Sequence, residues 1–241
     1  MAIIELPSRR PTRSTTRMNT SPRAACAANR RAAAIAFLRL SQRDGSPQWQ
    51  SERHQAAVAR SLALALPKKM STPKQVEALL SVDECSNLLQ HVQQHAATHG
   101  WGSLHRKYPT VDLPVASLPC ADEVRHAMAS RALPRFSSFF GERYGPAESL
   151  VFRDLFVAKY EADGQAGLNG HVDASMLSLV LQLNPTTEFD GGGTFFEHTA
   201  TLFRPAQGGA VFFIGKVFHA GAPITSGVRF VLVALVDRAP S

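Results

Sequence analysis

A chain of 241 residues is long enough to bury one substantial hydrophobic core, with length left for a tail or a small second unit. Its formal charge of +7 is unevenly placed: residues 1–70 hold 13 Lys/Arg against 3 Asp/Glu, whereas residues 71–241 hold 13 against 16, so a basic nucleic-acid footprint on the folded unit is disfavoured. Cys26, Cys85 and Cys120 lack CxxC spacing, which speaks against a disulfide framework or zinc knuckle, and the apolar runs AAAIAFL and LALAL fall well short of the roughly 18 residues of a membrane span.

From Arg9 to Arg43 the chain carries nine arginines among many Ser, Thr and Ala, with only Glu5 and Asp44 as acids nearby. That composition resembles an organelle transit peptide and equally suits a disordered basic arm. The first reading implies a mitochondrial or plastid location, the second a cytoplasmic one. GSPQWQSERHQAAVARSLALALPKK has the pattern of a helix capped by Ser46, with Pro47 in its first turn and an end before Pro67. A firmer start follows in LLSVDECSNLLQHVQQHAATHG, where Ser81 and Glu84 form a capping box and Cys85, Leu88, Leu89, Val92 and Ala96 share one helical face before Gly100. The folded domain is therefore expected over 71–241. A second helical pattern, ADEVRHAMASRALPRFSSFFG, is expected to be interrupted by Pro134. Beyond it, SLVFRDLFVAKY, SMLSLVLQLN, GTFFEH, GAVFFIG and RFVLVALVD read as strands separated by turn residues. The expectation is an α+β fold, mainly β, whose sandwich or barrel core carries the early helices outside.

In HVDASMLSLVLQLN, His171 and Asp173 stand two residues apart, so on a strand end they leave the same face and can converge on one ion. An HxD triplet alone arises by chance about a third of the time in a chain of this composition. His219, at a second strand mouth after AVFFIGKVF, supplies a third ligand. Two imidazoles and a carboxylate form the facial triad of non-haem Fe(II) sites, although zinc accepts the same ligands. Arg229, ten residues later, opens an apolar strand and directs a guanidinium into an oily interior. Its counter-charge is either an internal acid such as Asp154 or Glu161, or the carboxylate of a bound dicarboxylate such as 2-oxoglutarate. His91, His95 and His99 lie beside Gln93 and Gln94 on a polar helical face and are expected to be solvated. His198, at a strand end, carries no assigned role. Gly191, Gly192 and Gly193 suit a tight turn, and no Lys-Ser/Thr follows to make a phosphate loop.

These pieces, with LLSVDEC, VAKYEADGQAGLNGHVDAS, FDGGGTFFE and HAGAPITSGVRFVLVALVD in that order, resemble the Fe(II)- and 2-oxoglutarate-dependent dioxygenases, in particular their prolyl 4-hydroxylase and procollagen lysyl hydroxylase branch. The likeness spans about residues 78–237. It implies a double-stranded β-helix, or cupin-like jelly-roll, core. It further implies iron ligation by His171, Asp173 and His219, with Arg229 holding the far carboxylate of 2-oxoglutarate and Tyr160, Gln182 and Thr194 near the cosubstrate. Gln182 and Leu168 stand where some relatives carry aromatic residues. The implied cofactors are Fe(II), 2-oxoglutarate and O2, with ascorbate as a candidate reductant. The implied reaction hydroxylates a substrate carbon, a peptidyl prolyl or lysyl residue first of all, and releases succinate and CO2. Small-molecule hydroxylation is the alternative. Nucleic-acid demethylases of the superfamily tend to carry a second arginine six residues after the first, where this chain has Leu235. A cupin-like module without turnover, and a basic arm that tethers an anionic partner, are the non-enzymatic rivals.

Overall fold

The protein was analysed as a computed structural model, which describes residues 71–240 apart from 104, 106 and 107. The arginine-rich leader and the helix expected after Ser46 lie outside the described residues.

Helix α1 (Val82–His99) begins where the capping box places it: the Glu84 amide donates to Ser81 Oγ at 3.1 Å, and the Ser81 amide donates to the Glu84 carboxylate at 2.8 Å. Cys85, Leu88 and Val92 are its buried face, and Gly100, at φ 78°, ends it. Burial pushes the Cys85 thiol up to about 12, so this side chain acts as a small hydrophobe. Helix α2 (Ala121–Tyr144) corrects one expectation, because it runs through Pro134 without a break. The amide that proline lacks would have bonded the Ser130 carbonyl, and both residues are exposed, so water can take the donor's place. Meanwhile Met128, Ala132, Phe136 and Phe140 bury the opposite face on both sides of the proline. Arg131 ties the helices together, donating to both Glu84 carboxylate oxygens at 2.7 Å.

The strands are β1 (Lys74–Val76), β2 (Val111–Pro114), β3 (Leu150–Glu161), β4 (Leu168–His171), β5 (Leu177–Gln182), β6 (Phe189–Gly191), β7 (Thr194–Phe196), β8 (Thr201–Phe203), β9 (Ala210–Ile214), β10 (His219–Gly221) and β11 (Ile224–Arg238). The larger antiparallel sheet has the order β1-β9-β5-β11-β3-β2, with β6 also paired to β11; the smaller has the order β4-β10-β7-β8. Together they form the expected jelly-roll core. No helix among the described residues is long and apolar enough to cross a membrane.

Alternation along β11 decides what each face of the larger sheet does. Phe230, Leu232, Ala234 and Val236 join the main core beneath the helices, where Phe136 and Phe139 of α2 meet Phe212 of β9 edge-on at 4.8 and 5.5 Å. Arg229, Val231, Val233 and Leu235 point the other way and line a cavity of about 530 Å³. Strand β3 follows suit, with Leu155 and Val157 in the main core and Phe156, Ala158 and Tyr160 on the cavity wall. Over residues 230–236 strand β11 is covered on both faces, which is why that stretch reads as an unbroken apolar run, whereas β3 carries the part-exposed Arg153 and Asp154 in its first half.

Candidate metal centre

The cavity lies between the sheets, and the smaller sheet supplies its ligating wall. Antiparallel pairing of β10 with β4 sets His219 directly opposite His171, and their rings lie 4.4 Å apart, centroid to centroid. The backbone leaves β4 at His171, and the Asp173 amide donates to the Gly215 carbonyl at 2.8 Å, which returns the carboxylate to the two rings. Asp173 Oδ1 is 3.4 Å from His171 Nε2 and Oδ2 is 3.6 Å from His219 Nε2. One ligand atom from each residue lies within 4.8 Å of the others, the single such cluster found among the described residues. His91, His95 and His99 make no comparable group.

Hydrogen bonding prepares these three side chains for a cation. His171 Nδ1 is 2.8 Å from the Asn169 carbonyl and His219 Nδ1 is 2.9 Å from that of Val217. Each carbonyl can only accept, so each Nδ1 carries the proton and each Nε2 offers its lone pair to the Asp173 side. Burial pushes His219 down to about 4, which keeps it neutral at physiological pH. Burial works against ionisation of Asp173, and a 2.5 Å hydrogen bond donated by Ser178 acts the other way, favouring the carboxylate. Two neutral nitrogen donors and one carboxylate suit Fe(II).

Arg229 is 2 % exposed and stands opposite Tyr160 in the β11–β3 pairing, with its guanidinium carbon 5.7 Å from that ring's centroid. Burial lowers its pKa to about 10, so it is charged at neutral pH. Its nearest acceptors are neutral: Gln182 Oε1 at 2.9 Å from Nε and the Gly193 carbonyl at 3.4 Å from Nη1. The two internal acids considered from sequence are engaged elsewhere, Asp154 with Arg153 at 3.8 Å and Glu161 with Lys159 at 2.9 Å. A buried cation beside a metal site, held by neutral groups, fits a dicarboxylate cosubstrate.

Tyr160, Thr194 and Leu168 line the cavity. Gln182 does not; it stands behind Arg229, and its amide nitrogen donates to Asn184 Oδ1 at 2.9 Å and to the Phe230 carbonyl at 3.3 Å. Its position is that of a support for the guanidinium. Gly191, Gly192 and Gly193 all have positive φ, and a Cβ on Gly192 would come within 3.1 Å of Arg229 Cδ, so the turn needs glycine both for its backbone and for its closeness to that arginine. Leu235 is an apolar wall of the cavity. His198 bonds the Ser71 carbonyl at 2.8 Å, away from the centre.

Sequence reasoning did not single out Ser178, Asn184, His105, Tyr108 or Asp112. Ser178 had a signal, a hydroxyl inside an apolar strand five residues after Asp173. The others depend on register or on the loop before β2, where Tyr108 packs on His171 with ring centroids 4.9 Å apart.

No family model matches the chain. In sequence it is similar to the human multifunctional procollagen lysine hydroxylase and glycosyltransferase LH3, 26% identical over 170 residues, which is 66% of this chain and 23% of that protein. The chain thus spans about a quarter of that relative's length. In structure it is similar to the 2-oxoglutarate complex of the viral collagen prolyl hydroxylase of Paramecium bursaria Chlorella virus-1, with a TM-score of 0.54 and 19% identity over 70% of this chain and 96% of that one. A Pseudomonas putida prolyl-4-hydroxylase gives a TM-score of 0.53 and 19% identity over 77% of this chain and 100% of that one. The sequence relatives are procollagen lysine hydroxylases, and the structural neighbours share the fold of prolyl hydroxylases and other 2-oxoglutarate–Fe(II) oxygenases.

Proposed function

We propose that this chain is an Fe(II)- and 2-oxoglutarate-dependent dioxygenase that hydroxylates a peptidyl residue, prolyl ahead of lysyl, with release of succinate and CO2, and that residues 71–241 are its catalytic unit. The observation that carries the reading is that three ligand atoms lie within 4.8 Å of one another in the same cavity as a buried, charged Arg229 whose hydrogen-bond partners among the described residues are neutral. A triad of this kind also binds zinc, and the arginine is what favours a keto-diacid-dependent oxygenase.

His171, Asp173 and His219 would hold the iron through two Nε2 atoms and one carboxylate oxygen. Bound iron supplies the oxygen chemistry that couples oxidation of 2-oxoglutarate to hydroxylation of a carbon. The protein's own contribution is positional and electrostatic. Arg229 pairs with the distal carboxylate of the cosubstrate, in a setting where burial among Val231, Val233 and Leu235 strengthens a charge-assisted contact. Gln182 fixes the guanidinium from behind, and Ser178 fixes the carboxylate of Asp173. The apolar walls exclude water from the reacting atoms. Leu235, with no charge or hydrogen-bonding capacity, suits this role and weighs against nucleic-acid demethylation.

The test is an anaerobic titration of metal-free protein with Fe(II) and 2-oxoglutarate, following the visible metal-to-ligand charge-transfer absorption. The band is expected in the unsubstituted protein, absent in His219→Ala, and shifted to at least tenfold higher 2-oxoglutarate concentration in Arg229→Ala. A band that survives both substitutions unchanged would remove these residues from the site.

A further inference from the structure

We propose that His105, oriented by the buried carboxylate of Asp112, is a substrate-binding residue of the cavity, and that the substrate meets it with a hydrogen-bond acceptor or carboxylate rather than with an ammonium group. The inference rests on the dioxygenase reading above and names the substrate class of that same site.

Asp112 lies on β2, at the edge of the larger sheet, paired with Ala158 of the cavity wall, and is 0 % exposed. A carboxylate so deeply buried is costly unless it is hydrogen-bonded. Its Oδ2 accepts from the Thr110 hydroxyl and, at 3.2 Å, from His105 Nδ1. The His105 ring also lies against Phe156, with centroids 4.6 Å apart, and lines the cavity. Packing on Phe156 sets the ring plane and Asp112 claims Nδ1, which leaves Nε2 as the nitrogen for the cavity. The hydrogen bond to Asp112 raises the imidazole pKa against the opposing effect of burial, which favours the form in which Nε2 donates. A buried acid that accepts from the ring of a part-exposed histidine at the edge of a cavity is an arrangement that positions a hydrogen-bonding group for a ligand.

The other charges on the wall point the same way. Apart from the metal triad and Arg229, the charged lining residues among those described are His105, Arg153, Asp154 and Lys216. Asp154, the one acid of that set, has Arg153 Nε 3.8 Å from its carboxylate. Lys216 is held at the rim by the Asp173 and Ala174 carbonyls, each 2.9 Å from Nζ. Arg153 also lies 3.6 Å from Asp237, and His105 faces Asp112, so Lys216 is the cation of this set without an acidic partner among the described residues, and a lysine ammonium entering beside it would meet like charge. A proline ring carries none, and the carbonyls or acidic neighbours of a peptide can accept from His105.

The experiment uses the full chain loaded with Fe(II) and 2-oxoglutarate and a panel of short peptides, each with a central proline or lysine and with glutamate or lysine flanks. Succinate released above the peptide-free rate is measured. Proline peptides with glutamate flanks are expected to exceed every lysine-centred peptide at least tenfold in kcat/KM. His105→Gln is expected to raise KM for the preferred peptide at least tenfold while kcat changes less than threefold and the charge-transfer titration with 2-oxoglutarate stays within twofold. Asp112→Asn is expected to raise KM in the same direction. A dyad that only braces the loop would lower the melting temperature of both variants and leave KM unmoved, which overturns the proposal. So does a preference for lysine-centred or lysine-flanked peptides, and so does the absence of stimulation by any glutamate-flanked peptide. Loss of the charge-transfer band in the unsubstituted protein is a separate result, which removes the dioxygenase reading itself.

Discussion

Ser178 shows how much of the metal centre is decided by groups that never touch the ion. Its hydroxyl donates to Asp173 Oδ2 at 2.5 Å and meets Ser175 Oγ at 3.0 Å, so the carboxylate oxygen nearest His219 is held in place by a hydroxyl. Removing such a support typically costs about 10- to 100-fold in metal affinity. Ser178→Ala is therefore expected to weaken Fe(II) binding roughly tenfold, measured by anaerobic titration, while near-native circular dichroism is retained. The two ring tautomers were not legible in the sequence, because they depend on backbone carbonyls of Asn169 and Val217 that reach the rings only in the folded loops. The candidate ligand residues were legible, since an HxD pair at a strand mouth, a later His and an Arg ten residues on form a spaced set, and the fold brings the first three together.

At the scale of elements, β11 does two jobs at once, and its alternation explains both. One face completes the core under α2 and the other carries Arg229 and the cavity wall. Helix α2 shows where local rules lose to packing. Proline disfavours a helix interior by about 3 kcal/mol relative to alanine, yet four buried side chains of α2 flank or follow Pro134 and keep the helix whole. Pro134→Ala restores an amide donor on an exposed face, and the gain is partly offset by a freer unfolded chain. The variant is expected to be more stable by roughly 1–2 kcal/mol, read from the urea midpoint at unchanged slope. A midpoint that falls would show that the proline sets a bend that packing requires.

For the whole molecule, the site joins the two sheets: His171 and His219 come from the smaller, Arg229 and Tyr160 from the larger. Ligands that bridge them bind only the folded state and must stabilise it. At pH 7, Mn(II) with 2-oxoglutarate is expected to raise the melting temperature of the metal-free protein, each tenfold excess over Kd adding about 1.4 kcal/mol. Acid acts in the opposite sense. Burial lowers His219 from 6.5 to about 4, so between those values the unfolded chain binds the extra proton and stability falls as pH falls. His219→Gln should flatten that limb of the melting curve; an unchanged slope would place the titrating group elsewhere. The sequence by itself determined the order of elements, the capping box that starts α1 and the faces of the β11 strand, because each follows from local periodicity, and its motif spacing pointed to the three residues that the fold gathers as a candidate metal centre. Only the tertiary structure decided that Gln182 stands behind Arg229, that Asp112 holds His105 and that Pro134 lies inside a helix. Those relations depend on cross-strand register and on packing between segments far apart in the chain, and neither spacing nor composition encodes them locally.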